Sequence, residues 1–228
     1  MVRIIHRDDL PLGGFAGIVE TQMVLSPQVW RDAAHRDGIS HGLDDFIYLS
    51  TGHFKPNDGA PMHPHRDVDI VSVILSGEVG HKGTLGDGTV IKGPGVQVQR
   101  AGSGMQHSEF SLNDSPADFV QIWIRPPEAG LTPDYQSYPL DESGLTTVIG
   151  GSDGDSFHSK MVCRVGFLGS GESVRSDRSF VAMIFQGTAT VQGQPVGAGD
   201  LMEGDELDLT ADEKIGLILL QGARERSN

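Results

Sequence analysis

Residues Ile70-Val-Ser-Val-Ile-Leu-Ser-Gly-Glu-Val-Gly-His81 decide the fold class, because they read as an apolar strand, a tight turn at Ser76-Gly77 and a returning strand. Reading outward, Gly86-Asp87-Gly88 turns the chain before Thr89-Val-Ile91, and Gly93-Pro94-Gly95 turns it before Val96-Gln-Val98. Gly102-Ser-Gly104 leads into Met105 to Phe110, and Phe119-Val-Gln-Ile-Trp-Ile124 closes the series. Short strands punctuated by glycine predict an all-β chain, folded as an antiparallel barrel or jelly roll. Few short helices are expected. Ser26-Pro27-Gln28-Val29-Trp30-Arg31 has a cap residue followed by proline, which predicts one helical turn.

The pattern returns about 110 residues later, as an internal duplication requires. Phe180-Val-Ala-Met-Ile-Phe185 ends at Gln186-Gly187, resumes as Thr188-Ala-Thr-Val191 and turns at Gly193-Gln194, and Gly197-Ala-Gly199 matches Gly93-Pro-Gly95. Two β-barrel domains in tandem are therefore expected, residues 1–135 and 136–228. Aligning Val71–Gly77 with Val181–Gly187 puts Ser173 at the place of His63 and Arg175 at the place of His65. The positions around Ala211 to Glu213, which match His107 and Glu109, hold no histidine, and His158 is the later half's single one.

His63-Pro-His65 and His107-Ser-Glu109 share i, i+2 spacing, so on strands each pair points both side chains to one face. If the two strands are neighbours, three imidazoles and one carboxylate converge inside the first barrel. That donor set suits iron, manganese, nickel, copper or zinc. It leaves coordination positions open for water, dioxygen or a substrate, as a reactive rather than a structural site requires. His81 lies where it can line the same cavity, and Asp69 has the strand parity to accept a hydrogen bond from a ligand imidazole. His6, His35, His41 and His53 are read as hydrogen-bonded or surface residues.

A formal charge of −14 argues against direct nucleic-acid binding, since phosphates would be repelled. The acidic stretches Glu203 to Asp208 and Asp212-Glu213 read as solvated loop faces. The single cysteine, Cys163, excludes an internal disulfide and sits in an apolar run as a buried small side chain. The longest aliphatic stretch, Ile215 to Leu220, is too short to span a bilayer, and a soluble cytoplasmic protein is expected.

Met62-His-Pro-His-Arg66, Leu85-Gly-Asp-Gly88, Gly95-Val-Gln97 and Ala101-Gly-Ser-Gly-Met-Gln-His-Ser-Glu109 together resemble the pirin family of bicupins. The likeness continues through Phe119-Val-Gln-Ile-Trp123 and Pro126 to Tyr135, and beyond residue 140 follows the general cupin pattern. It implies two stacked cupin barrels with one divalent transition metal in the first. Iron(II) is the first choice, with Ni, Cu, Mn, Zn or Co as alternatives. The family's ligands fall on His63, His65, His107 and Glu109. The chain departs from the pirin pattern at Arg66-Asp67-Val68-Asp69, at His81-Lys-Gly-Thr-Leu-Gly86 and at Gln99-Arg100, none of which removes a ligand.

Two functions follow from the resemblance. One is a quercetin 2,3-dioxygenase-type enzyme acting with dioxygen on a flavonol or similar enol-bearing aromatic. Glu109, the one ligand able to take a proton, would then be the catalytic base. Phe46, Tyr48 and Phe54 are placed to line its mouth, with core packing as the simpler role. The other is a redox-responsive coregulator that acts through protein partners, for which an acidic surface suits a basic partner.

Overall fold

The computed structural model describes residues 1–151 and 156–222, and it is built almost wholly of strands. The chain opens with β1 (Arg3–His6), β2 (Gly13–Phe15) and β3 (Ile18–Leu25), then β4 (Phe46–Phe54), β5 (Gly59–His65) and β6 (Asp69–Ile74). It continues through β7 (Glu78–Gly83), β8 (Val90–Lys92), β9 (Gly95–Arg100), β10 (Met105–Ser111), β11 (Ala117–Ile124) and β12 (Asp134–Pro139). The later half holds β13 (Gly144–Ile149), β14 (Met161–Leu168), β15 (Ser173–Ser176), β16 (Phe180–Gln186) and β17 (Thr188–Val191). It ends with β18 (Gln194–Gly197), β19 (Asp200–Gly204), β20 (Leu207–Ala211) and β21 (Ile215–Gly222).

The sheets fall into two matching pairs. The large sheets run β12-β9-β6-β11-β4-β3-β2 and β1-β19-β16-β21-β14-β13, and the small ones β5-β10-β7-β8 and β15-β20-β17-β18. Apart from β2, an extra edge strand of the first large sheet, the orders correspond, so the duplication read in the sequence is a duplication of topology. One substitution of parts occurs. β12 flanks β9 in the first large sheet, whereas the matching edge beside β19 is filled by β1, from the start of the chain.

The expected hairpin at Ser76-Gly77 is not one. β6 pairs with β9 and β11 in the large sheet, and β7 pairs with β8 and β10 in the small one. The turn carries the chain from one sheet of the sandwich to the other. Local pattern shows a strand ending and another starting but not which neighbour each finds. Gly187 makes the same crossing between β16 and β17. Both glycines have left-handed backbones, φ +78° and +76°, which residues with a Cβ rarely adopt.

Alternation explains what packs where. In the first large sheet Val71, Val73, Val96, Val98, Val120 and Ile122 point to one core, shared with Cys163, Val165, Val181, Met183, Ile218 and Leu220 of the second. The two large sheets thus lie face to face. Cys163 is fully buried there, and burial pushes its thiol up to about 12, which fits the inert role expected of it. The predicted helical turn forms: Ser26 accepts hydrogen bonds from Val29 and Trp30, and a 3-10 turn follows at Arg31–His35. A second one, Arg7–Asp9, had no sequence signal. No helix among the described residues is long and apolar enough to cross a membrane.

Candidate metal centre

The site is built on β5 and β10, which pair antiparallel with His107 opposite His63 and Met105 opposite His65. The register slips between His107 and Glu109 relative to β5, while Glu109 stays opposite His81 on β7. The ligand atoms of His63, His65 and His107 lie within 4.8 Å of one another. Those of His81, His107 and Glu109 form a second such group, so Glu109 meets the first trio through the shared His107.

The proton positions follow from the partners. His63 Nδ1 is 2.7 Å from the Pro61 carbonyl, which can only accept, so Nδ1 carries the hydrogen and Nε2 is a lone pair. That lone pair faces His107 Nε2 at 3.1 Å. Two imidazole nitrogens this close need a proton or a cation between them. Burial, then the neighbouring imidazoles, pushes both His65 and His107 down to about 3, so both are neutral with lone pairs to give. Neutral imidazoles held this way are what a divalent metal takes as ligands. The donor set fits the metal that the sequence implied.

Glu109 is wholly buried but not bare. Its Oε1 accepts from Ser72 Oγ at 3.3 Å, from Gln99 Nε2 at 3.5 Å and from Gln97 Nε2, and its Oε2 accepts from Gln121 Nε2 at 3.3 Å. Burial raises its carboxyl, while the nearby histidines and these donors pull the other way. Oε1 is crowded with donors, and Oε2 keeps lone-pair capacity. The donor shell was not foreseen. Its signal was visible, because Gln97 and Gln99 repeat at i, i+2 between the valines of a strand buried throughout, which is odd for a buried face.

His81 turns out closer to the chemistry than its sequence position suggested. Its Nε2 lies 2.8 Å from the Leu85 carbonyl and must donate, which leaves a bare Nδ1 that is buried and has no partner. Asp69 is a correction. It bonds no ligand imidazole, but takes both Arg100 Nε and Nη2, at 2.9 and 2.6 Å, with no solvent exposure. Arg100 also donates to the His158 carbonyl and lies over the Phe157 ring, so this pair ties the two barrels together. Phe46 and Phe54 are core residues, as the simpler reading had it. Tyr48 is different: it stacks with Trp123 at 4.8 Å, and Trp123 in turn meets His65 edge-on at 5.3 Å. His6, bonded to Asp200, and His41, bonded to the Ala33 carbonyl, stand apart from the cluster.

The pirin family model matches residues 22–124. A pirin-like protein of Caulobacter vibrioides is 33% identical over 184 residues, spanning 74% of this chain and 79% of its own. The quercetin 2,3-dioxygenase of Escherichia coli is 28% identical over 120 residues, 49% of this chain and 52% of its own. Among solved structures, the bacterial pirin YhhW from Escherichia coli in complex with nickel(II) superposes with a TM-score of 0.82 at 19% identity, over 99% of this chain and 100% of that one. Fold and site together define a cupin with a histidine-rich chamber in its first barrel. The chain belongs to the pirin family.

Proposed function

We propose that this protein is a metal-dependent dioxygenase acting on a flavonol such as quercetin or a similar enol-bearing aromatic. The observation that carries it is the convergence of His63, His65 and His107, whose ligand atoms lie within 4.8 Å of one another, beside a buried, donor-ringed carboxylate. In this reading His63, His65, His107 and Glu109 hold one divalent metal, with iron(II) the first choice, in the unit of residues 1–135. Residues 136–228 supply a packing partner without ligands. A bound metal ion there supplies Lewis acidity toward an ionised enol and redox access to dioxygen.

The chain's own groups do the rest. Glu109 accepts the enol proton at Oε2, the oxygen with a single protein donor. Ser72, Gln97 and Gln99 fix Oε1, so the carboxylate does not swing while its other oxygen works. The Pro61 carbonyl locks the His63 ring, and burial keeps His65 and His107 unprotonated. Anaerobic reconstitution with iron(II), followed by oxygen uptake with and without quercetin, tests the proposal. Absence of quercetin-dependent uptake with iron, nickel, copper and manganese alike would overturn it.

A further inference from the structure

Beside the metal chamber, on the other side of Trp123, lies a cavity of about 670 Å³. That is the size range of sites that enclose small organic ligands, from about 300 to 1,000 Å³. Its walls include Trp30, Tyr48 and Trp123, whose ring centroids lie 4.8 to 6.0 Å apart. These are three of the few aromatic residues in a chain that is only 6% aromatic, gathered at one mouth. Trp30 reaches it because the turn after Ser26 folds the chain back over β4 and β11.

Three charged side chains also line the cavity: Arg31, Arg36 and Asp32. Arg36 donates to the neutral amide oxygen of Gln22 at 3.1 Å. Among the described residues neither Arg31 nor Arg36 has a carboxylate within ion-pair distance, whereas Arg3, Arg7, Arg100, Arg125 and Arg175 do. Asp32 at the same mouth and the Glu20 carboxylate, taken up by Tyr48 Oη at 3.1 Å, balance the two arginines in number, but the guanidinium groups stand outside ion-pair distance of both and keep N–H donors for a ligand. A guanidinium recognises a planar anion by parallel hydrogen bonds, and tryptophan offers the flat face that an aromatic ring stacks on.

The geometry points to a binding site for a planar aromatic anion, a ring system bearing a carboxylate or an ionised enol, with its ring on Trp30 and Trp123 and its charge toward Arg31 and Arg36. Resting on the dioxygenase reading, this makes the cavity the entrance that selects the substrate by charge. The wall it uses is joined to the chemistry. Trp123 Nε1 donates to Gln121 Oε1 at 3.1 Å, and Gln121 Nε2 donates to Glu109 Oε2 at 3.3 Å. A ligand stacked on Trp123 therefore bears on the residue that orients the general base.

Trp30 and Trp123 are the only tryptophans in the chain and both line this cavity, so intrinsic emission reports on it; Trp123 also meets His65, and calorimetry separates ligand binding from changes there. The probes are cinnamate and its neutral analogue cinnamamide, titrated into the protein as purified and after removal of metal by chelation, with calorimetry alongside. Cinnamate is expected to bind saturably in both preparations and about tenfold more tightly than cinnamamide, the scale of one charge-assisted contact. The Arg31→Gln/Arg36→Gln variant, changed at an exposed and a half-buried position and folded by circular dichroism, is expected to bind cinnamate no better than the amide. No saturable binding by either method, equal affinity for the two probes, or full cinnamate binding by the double variant would overturn the assignment. So would loss of cinnamate binding on chelation, since the anion would then be held by the metal. Because binding is read without turnover, failure of quercetin-dependent oxygen uptake leaves this result standing, and the reverse also holds.

Discussion

The two barrels share a strand order and differ in what they enclose. In the first, Ser72 on β6 sits in register between Gln97 on β9 and Gln121 on β11, and all three donate to Glu109. In the second, Ala182 on β16 sits in the same register between Met202 on β19 and Leu219 on β21. Opposite these, β20 presents Leu207, Leu209 and Ala211 to an interior whose core is apolar. A buried polar group costs stability unless every partner is supplied, so a barrel interior tends to be fully networked or fully apolar. Each copy has taken one of these two routes. The ligands are thus one part of a larger difference between the copies, which extends to the strands around them.

The largest expected effect is on metal content. The His63→Ala/His107→Ala variant should lose stoichiometric metal by elemental analysis, because among the described residues the second barrel shows no matching ligand group; uptake equal to wild type would overturn the assignment of the site to the first barrel.

Breaking the seam comes next. Asp69→Ala leaves Arg100 largely buried without its carboxylate, and chemical denaturation should show a loss of about 3–5 kcal/mol. The matching edge of the second barrel carries an exposed Ser179–Asp205 hydrogen bond, and Ser179→Ala should cost well under about 1 kcal/mol.

Importing polarity into the dry barrel is a sharper test. Leu219→Gln, placing in the second interior the amide found at Gln121 in the first, should destabilise by about 3 kcal/mol because no acceptor waits for it. The converse set, Ser72→Ala, Gln97→Met, Gln99→Leu, Glu109→Leu and Gln121→Leu, should abolish metal binding yet leave a folded chain of equal or greater thermal stability.

The smallest effect concerns the exchanged strand. His6 on β1 bonds Asp200 on β19 at 2.7 Å, which raises its folded-state pKa. Its stabilisation is complete below the ordinary histidine value and fades as pH rises through the raised one. A thermal-melt series between about pH 6 and pH 9 should show this slope, and Asp200→Asn should flatten it.

The four proposed ligands could be read without coordinates because strand parity is a local property. His63 and His65 had to share a face, as did His107 and Glu109, and the glycine punctuation made strands of both segments. Parity could not say which strands would meet. It left Asp69 eligible as a partner for an imidazole until the pairing of β6 with β9 set it opposite Arg100. Parity placed His81 only where it could line the cavity, and its meeting with His107 and Glu109 depended on β7 crossing to the sheet of β10.

The sequence by itself determined the all-β class, the duplication and the polar character of one copy alone. These are written in spacing and residue type, which local sterics and side-chain alternation translate directly. Tertiary structure alone decided that the Ser76-Gly77 turn crosses between sheets, that β1 completes the second barrel, and that three glutamines and a serine enclose Glu109. It also gathered Trp30, Tyr48 and Trp123 from distant segments into one wall. Such outcomes depend on which distant strands bury each other's apolar faces, a choice made by the whole core at once.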